Sequence, residues 1–122
     1  MELRDEFGDS VDFAMCYIEE AHPTDGWMYD SVTHFVAQHT TIESRVSASE
    51  KLLDELRALR PSGDLPPLVV DTLSNEASLT YGALPERLVV IEKGVVRFIG
   101  GKGPEEYSIN EARVALAGLV GR

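Results

Sequence analysis

Cysteine is nearly missing from these 122 residues: Cys16 stands alone. A single thiol excludes an internal disulfide, a CxxC redox pair and a cysteine-rich zinc site. Cations are scarce, with 11 Lys and Arg against 21 Asp and Glu and a formal charge of -10. Phosphate backbones and anionic membrane surfaces are both gripped by clustered Lys and Arg, so this balance argues against either partner. No apolar run approaches the ~20 residues of a membrane helix, and the opening Met1-Glu2-Leu3-Arg4-Asp5-Glu6 has no apolar signal core. There is no P-loop, no GxGxxG after a strand, no GxSxG, and no HxH or HExxH. What is present, 43% hydrophobic and 26% charged residues, describes one acidic globular domain with a real core.

The chain reads as alternating helices and strands. Leu3 and Phe7, four apart and followed by Gly8, fit the end of an amphipathic helix. Residues 11–19 read as a strand whose continuous apolar stretch, Phe13 to Ile18, suits a sheet covered on both faces. A run of six also suits a buried helix, but Phe, Tyr, Ile and Val favour the strand. Cys16 sits inside it and is expected as a buried core thiol. From His22-Pro23 to about Thr40 the pattern is irregular, and long irregular loops tend to carry function. Thr40-Thr41-Ile42-Glu43 reads as a capping box opening a helix on Ile42, Val46, Leu52, Leu53, Leu56 and Leu59, stopped by Arg60-Pro61 and Gly63. Leu68-Val69-Val70 is a second strand, and Ser74 is placed to cap a short helix from Ala77 to Tyr81. Strands over 87–92 and 95–99 flank a tight Lys93-Gly94 turn, with Leu84-Pro85 just before them. A glycine-rich loop, Gly100-Gly101-Lys102-Gly103-Pro104, leads to a second capping box, Ser108 to Glu111, and a terminal helix. The order predicts an α/β fold closed by an antiparallel hairpin, and a Pro before the hairpin is similar to the thioredoxin-like plan.

Several blocks are more specific than their elements. They are Tyr17-Ile18-Glu19-Glu20-Ala21-His22-Pro23-Thr24-Asp25-Gly26-Trp27, Gln38-His39 leading into Ile42-Glu43-Ser44-Arg45-Val46, Val69-Val70-Asp71-Thr72, Tyr81-Gly82-Ala83-Leu84-Pro85-Glu86-Arg87-Leu88, and the glycine-rich loop. Together and in this order they resemble the iodothyronine deiodinases over about residues 3–120. The resemblance implies a thioredoxin-like, peroxiredoxin-related fold with a mixed sheet, and a cis Leu84-Pro85 bond. It implies an oxidoreductase that removes iodine from an iodinated phenol such as thyroid hormone, using a selenocysteine nucleophile, with a thiol reductant as co-substrate and no bound cofactor. A selenol suits this because ordinary cysteine, near pKa 8.5, is mostly protonated at neutral pH.

The chain departs from the family pattern at its start. It has no selenocysteine, and Cys16 aligns inside a strand rather than at the nucleophile. The resemblance therefore predicts a single thioredoxin-like domain over 1–122, lacking the first core strand that would lie between the strands at 11–19 and 87–92. The expected origin is a reading frame opened after an upstream selenocysteine codon, leaving a fragment inactive alone. Exposed rows of backbone donors and acceptors on the neighbouring strands would make it marginally stable.

The same resemblance assigns site residues. His22 and His39 match histidines of substrate contact and proton delivery, a task histidine suits near pH 7. Tyr17 and Glu20 match a hydrogen-bond relay to the histidine. Glu86 and Lys102 would clamp the amino and carboxylate ends of an iodothyronine, with Lys102 where arginine stands in inner-ring relatives; Lys lacks arginine's bidentate fork. Trp27 packs its loop or lines the ring pocket. Each has a plainer reading: Tyr17 as core, Glu20, Glu86 and Lys102 as solvated charges, His22 and His39 as polar loop residues, and His34 as surface. Glu19-Glu20 and Glu105-Glu106 make no chelate, since neighbours in extended chain point apart, so no metal is expected. The partners implied are the iodinated aromatic and the thiol, without nucleic acid, and a homodimer by analogy with relatives. The alternatives are a thioredoxin-like or peroxiredoxin-like thiol reductase and a noncatalytic small-molecule-binding module.

Overall fold

The computed structural model describes residues 1–21, 37–60, 64–103 and 105–121. The architecture is mixed α/β. The elements run α1 (Glu2–Phe7), β1 (Met15–Tyr17), α2 (Ile42–Leu59), β2 (Leu68–Val70), α3 (Glu76–Tyr81), β3 (Val89–Glu92), β4 (Val95–Ile99) and α4 (Ile109–Val120). They divide into two compact units, one of Met1–Phe13 with Gly82–Arg122 and one of Ala14–Tyr81.

In the first unit α1 packs on α4. Leu3, Phe7, Ala112 and Leu116 form its buried centre, ringed by Val11, Phe13, Leu88, Val90 and Phe98. The Leu3/Phe7 spacing thus marks the buried face, as read. Gly8 caps α1, though in right-handed geometry with φ -62°. Ser108 caps α4 by accepting the Glu111 amide, and left-handed Gly121 ends it. β3 and β4 form the antiparallel hairpin, with Val89 opposite Ile99 and Glu92 opposite Val95. Lys93 (φ 52°) and Gly94 (φ 78°) both sit at positive φ, the pattern of a type I′ turn. A register shift between Val90 and Ile91 leaves Arg97 without an opposite residue. The strand read over 87–92 begins only at Val89. The Arg87 side chain instead bonds the Gly100 and Gly82 carbonyls. The Leu84-Pro85 bond is cis.

In the second unit β1 and β2 run parallel, Met15 opposite Leu68 and Tyr17 opposite Val70, and α2 crosses between them to pack on β2. The strand read over 11–19 shortens to three residues, because only those three pair with β2. Its cover is also one-sided. Tyr17 is buried, but Cys16 and its partner Val69 are exposed. The expectation of a buried core thiol is corrected: a residue and its opposite share a face, and among the described residues this face is exposed.

Helix α2 begins one residue later than read. Thr41, not Thr40, is the N-cap, and its partner in the capping box is Ser44, not Glu43. The Thr41 hydroxyl accepts the Ser44 amide while Ser44 Oγ accepts the Thr41 amide, both at 3.1 Å. Glu43 remains in the first turn, where its charge faces the positive end of the helix. Only half of its aliphatic stripe lies toward the buried face of α2: Leu52, Leu53 and Leu56 are half-buried. Arg45, Ala48 and Ser49 are buried, while Ile42, Val46 and Leu59 are exposed. Ser74 does not cap α3; the Thr72 hydroxyl and the Asp71 carboxylate accept its first amides.

Candidate functional site

The second unit buries a polar cluster where β1 ends and α2 begins. The chain leaving β1 is pinned by Gln38. The Gln38 amide accepts the Glu20 N–H at 3.1 Å and donates to the Glu20 carbonyl at 2.9 Å. One side chain thereby does the work of an opposing strand residue and seats His39 beside Tyr17. Their rings lie 5.4 Å apart, tilted at 45°.

The Tyr17 hydroxyl donates to Glu20 Oε1. His39 Nε2 lies 3.4 Å from Tyr17 Oη and 3.9 Å from Glu20 Oε1. On the other side of the ring, Arg45 Nε donates to His39 Nδ1 at 3.0 Å, and Arg45 Nη1 donates to the Thr72 carbonyl at 2.6 Å. Arg45 is 2% exposed and His39 is 7%. Burying a cation at this depth is tolerable only with such partners.

Asp71 carries the matching charge. Its carboxylate accepts the amides of Thr72, Ala77 and Ser78 at 2.8–2.9 Å. Burial pushes its pKa up, but those three donors and the Arg45 guanidinium outweigh it, so the carboxyl lies below its ordinary value. The Tyr17 phenol is pushed far up, first by burial and then by its bond to the Glu20 carboxylate and that charge. It stays a neutral donor through the physiological range. The Cys16 thiol, on an exposed residue, is also raised, by partial desolvation and then by Asp71, against a smaller pull from Arg45. A raised pKa is the reverse of what activates a thiol nucleophile. The adjacent carboxylates part company as expected: Glu20 turns to Tyr17, while Glu19 receives Asn75 Nδ2 at 3.3 Å and Ser78 Oγ at 3.5 Å. Among the described residues no three His, Cys, Asp or Glu side chains gather where a metal ion would sit, and no helix is long and apolar enough to cross a membrane.

Glu86 and Lys102 lie in the first unit, at two glycines. The Gly103 amide donates to the Glu86 carbonyl at 3.0 Å. The Glu86 carboxylate lies over Gly103 so closely that a Cβ there would overlap it. A side chain at position 103 would push the exposed Glu86 side chain out of this seat, while the Gly103 backbone angle makes no demand of its own. The Glu86 charge also helps raise the Tyr107 phenol, second to burial. The Lys102 stem passes Gly82, which holds φ +56°. Both charged side chains are exposed.

Of the residues singled out from sequence, the structure gathers Tyr17, Glu20 and His39 into one bonded cluster. It places Glu86 and Lys102 in the other unit, the Glu86 side chain against Gly103 and the Lys102 stem against Gly82. His22, Trp27 and His34 lie outside the described residues. Arg45 and Asp71 were quoted within blocks but given no role. The local signals are an Asp ending a strand one helix turn before α3, and an arginine near the start of its helix, between Ile42 and Val46, which lie exposed.

A family model described as iodothyronine deiodinase matches residues 1–119. Thyroxine 5-deiodinase from Homo sapiens is 42% identical over 106 residues, 87% of this chain and 33% of the relative. The thyroxine 5-deiodinase of Gallus gallus is 40% identical over 114 residues, 93% of this chain and 42% of the relative. Type II iodothyronine deiodinase from Fundulus heteroclitus is 34% identical over 127 residues, 99% of this chain and 45% of the relative. The chain thus spans between a third and a half of the length of these curated relatives.

Proposed function

The chain belongs to the iodothyronine deiodinase family, and from that premise we propose that it forms the greater part of a thioredoxin-like domain for reductive deiodination of an iodothyronine. Replacing an aryl C–I bond by C–H consumes one proton at carbon and two electrons, which a thiol reductant supplies as it becomes a disulfide. A selenol, where the longer protein carries one, supplies the soft nucleophile that accepts iodine. The described residues serve the proton and the substrate.

The observation that carries this reading is the buried Tyr17–Glu20–His39 cluster. The Tyr17 hydroxyl is donor to a carboxylate and lies within reach of an imidazole, an arrangement suited to holding a proton for delivery. His22 is proposed to lead from this cluster to the substrate. Glu86, packed against Gly103, and Lys102, whose stem passes Gly82, are proposed to meet the amino and carboxylate groups of the amino-acid end, with Trp27 against the rings. An ammonium in place of a guanidinium makes that carboxylate contact a point charge rather than a two-pronged grip.

The deciding assay is iodide release from thyroxine with dithiothreitol, run on the chain as given and on the gene product extended upstream to the length of its relatives. Release by the extended protein and saturable thyroxine binding without release by this chain are expected. Peroxide reduction by the extended protein with no iodide release overturns the reading in favour of a thiol peroxidase.

A further inference from the structure

Arg45 has no part in the reading just given, yet it is the most deeply buried charge among the described residues, at 2% exposure. Its Nε–H is spent on His39 Nδ1 at 3.0 Å and its Nη1 on the Thr72 carbonyl at 2.6 Å. Arginine offers donors only and keeps its proton at any ordinary pH. A guanidinium N–H aimed at Nδ1 therefore requires a lone pair there. The neutral ring must then carry its one proton on Nε2, the nitrogen that faces Tyr17 Oη at 3.4 Å. Tyr17 Oη receives that N–H and gives its own proton to Glu20, so every donor in the row points the same way.

We propose that Arg45 is a positioning residue that fixes His39 as its Nε2–H tautomer and thereby aligns the Tyr17 hydroxyl on Glu20. The inference deepens the reading of this cluster as proton-handling machinery and rests on it. It also narrows the part His39 plays. A ring that shuttles a proton takes it on one nitrogen and releases it from the other. With Nδ1 occupied, His39 acts as a fixed N–H donor, and the mobile proton is held between Tyr17 and Glu20. A proton placed on Nδ1 would displace Arg45 and set two cations side by side in a buried site. The charged groups facing this cluster are Asp71, Glu20 and Glu55. Asp71 follows β2 and is held below its ordinary pKa in part by Arg45, and Glu55 on α2 acts with Glu20 on the Tyr17 phenol.

The test is side-chain nitrogen–proton correlation spectroscopy of the chain labelled with 15N at histidine, the His39 signals being identified by their loss in His39→Gln. Wild type is expected to show a protonated Nε2 and an unprotonated Nδ1. A protonated Nδ1 overturns the proposal without any variant being made. Arg45→Lys retains the charge but not the Nε–H, and is expected to bring the Nδ1–H form into the spectrum; an unchanged His39 pattern in folded Arg45→Lys overturns it as well. The readout does not involve iodide. A wrong tautomer therefore leaves the deiodination reading standing, and a failed iodide assay leaves the tautomer result standing.

Discussion

Among the described residues, the two units bury opposite kinds of surface. In the unit of Met1–Phe13 and Gly82–Arg122 the buried centre is Leu3, Phe7, Ala112 and Leu116. Among the described residues of the unit of Ala14–Tyr81, the buried ones are Arg45, His39, Asp71, Ser49 and Ser78, with Tyr17, Ala48 and Pro66 as the apolar contribution. Apolar burial is non-directional and indifferent to protons. Polar burial is stable only when each group finds a partner of fixed geometry, and it then holds side chains in one arrangement. The residues proposed to handle the proton fall in the unit whose described interior is hydrogen-bonded; Glu86 and Lys102 belong to the other unit.

The difference is sharpest under mutation across pH. Phe7→Ala removes a ring that is 2% exposed and should cost about 3–5 kcal/mol, the largest effect expected. Because no titrating group is removed, that cost should hold from pH 4 to pH 8 when followed by urea unfolding and by amide exchange in α4. A cost that changes with pH would mean that the apolar unit is not independent of charge. Asp71→Asn is the counterpart. It removes the charge that accepts three backbone amides and faces Arg45, at about 2 kcal/mol near neutral pH. The Asp71 pKa is depressed in the folded chain, below 3.8. Its stabilisation is therefore full above the unfolded value of 3.8 and is lost as pH falls through the lower folded value. The gap between wild type and Asp71→Asn should stay constant from pH 7 to about pH 5 and close below pH 3.8. A gap that persists in acid would sink the assignment of Asp71 as a charged cap.

The apolar unit was also the easier one to read. Leu3 and Phe7, the Lys93-Gly94 turn and the terminal helix behind Ser108 follow local rules, because spacing, turn angle and cap each depend on residues a few positions apart. The second unit hides its logic in pairs far apart in sequence. Arg45 bonds His39 within α2's approach but also Thr72, 27 residues on, and no local pattern distinguishes such an arginine from a solvated one. Its aliphatic positions mislead for the same reason: Ile42 and Val46 keep helical period yet lie outside, since the guanidinium and Ser49 occupy the inner face. Thr40 and Thr41 are equivalent caps by composition, and only the position of Ser44 decides between them. The strand at 11–19 overran because apolar content reports burial, whereas strand length is set by how much of β2 lies alongside. Tyr17, Glu20 and His39 were legible as a group through the family resemblance, not through spacing.

Tyr17→Phe gives the smallest and most local effect. It deletes one hydroxyl from between His39 and Glu20 and leaves the ring in place, so the loss is one charge-assisted hydrogen bond, about 1.5 kcal/mol. Its pH dependence runs opposite to that of Asp71. The folded phenol is raised above its unfolded value of 10, so its contribution is full below pH 10 and is lost as pH rises beyond it, where the unfolded chain ionises first. The gap between wild type and Tyr17→Phe should therefore narrow between pH 9 and pH 11 in urea unfolding. Tyr107 is raised too, but it titrates alike in both proteins and cancels from the difference. A gap that widens with alkali would mean that the phenolate, not the phenol, is the form held against Glu20, and the polar unit would then owe its order to a charge the geometry does not accommodate.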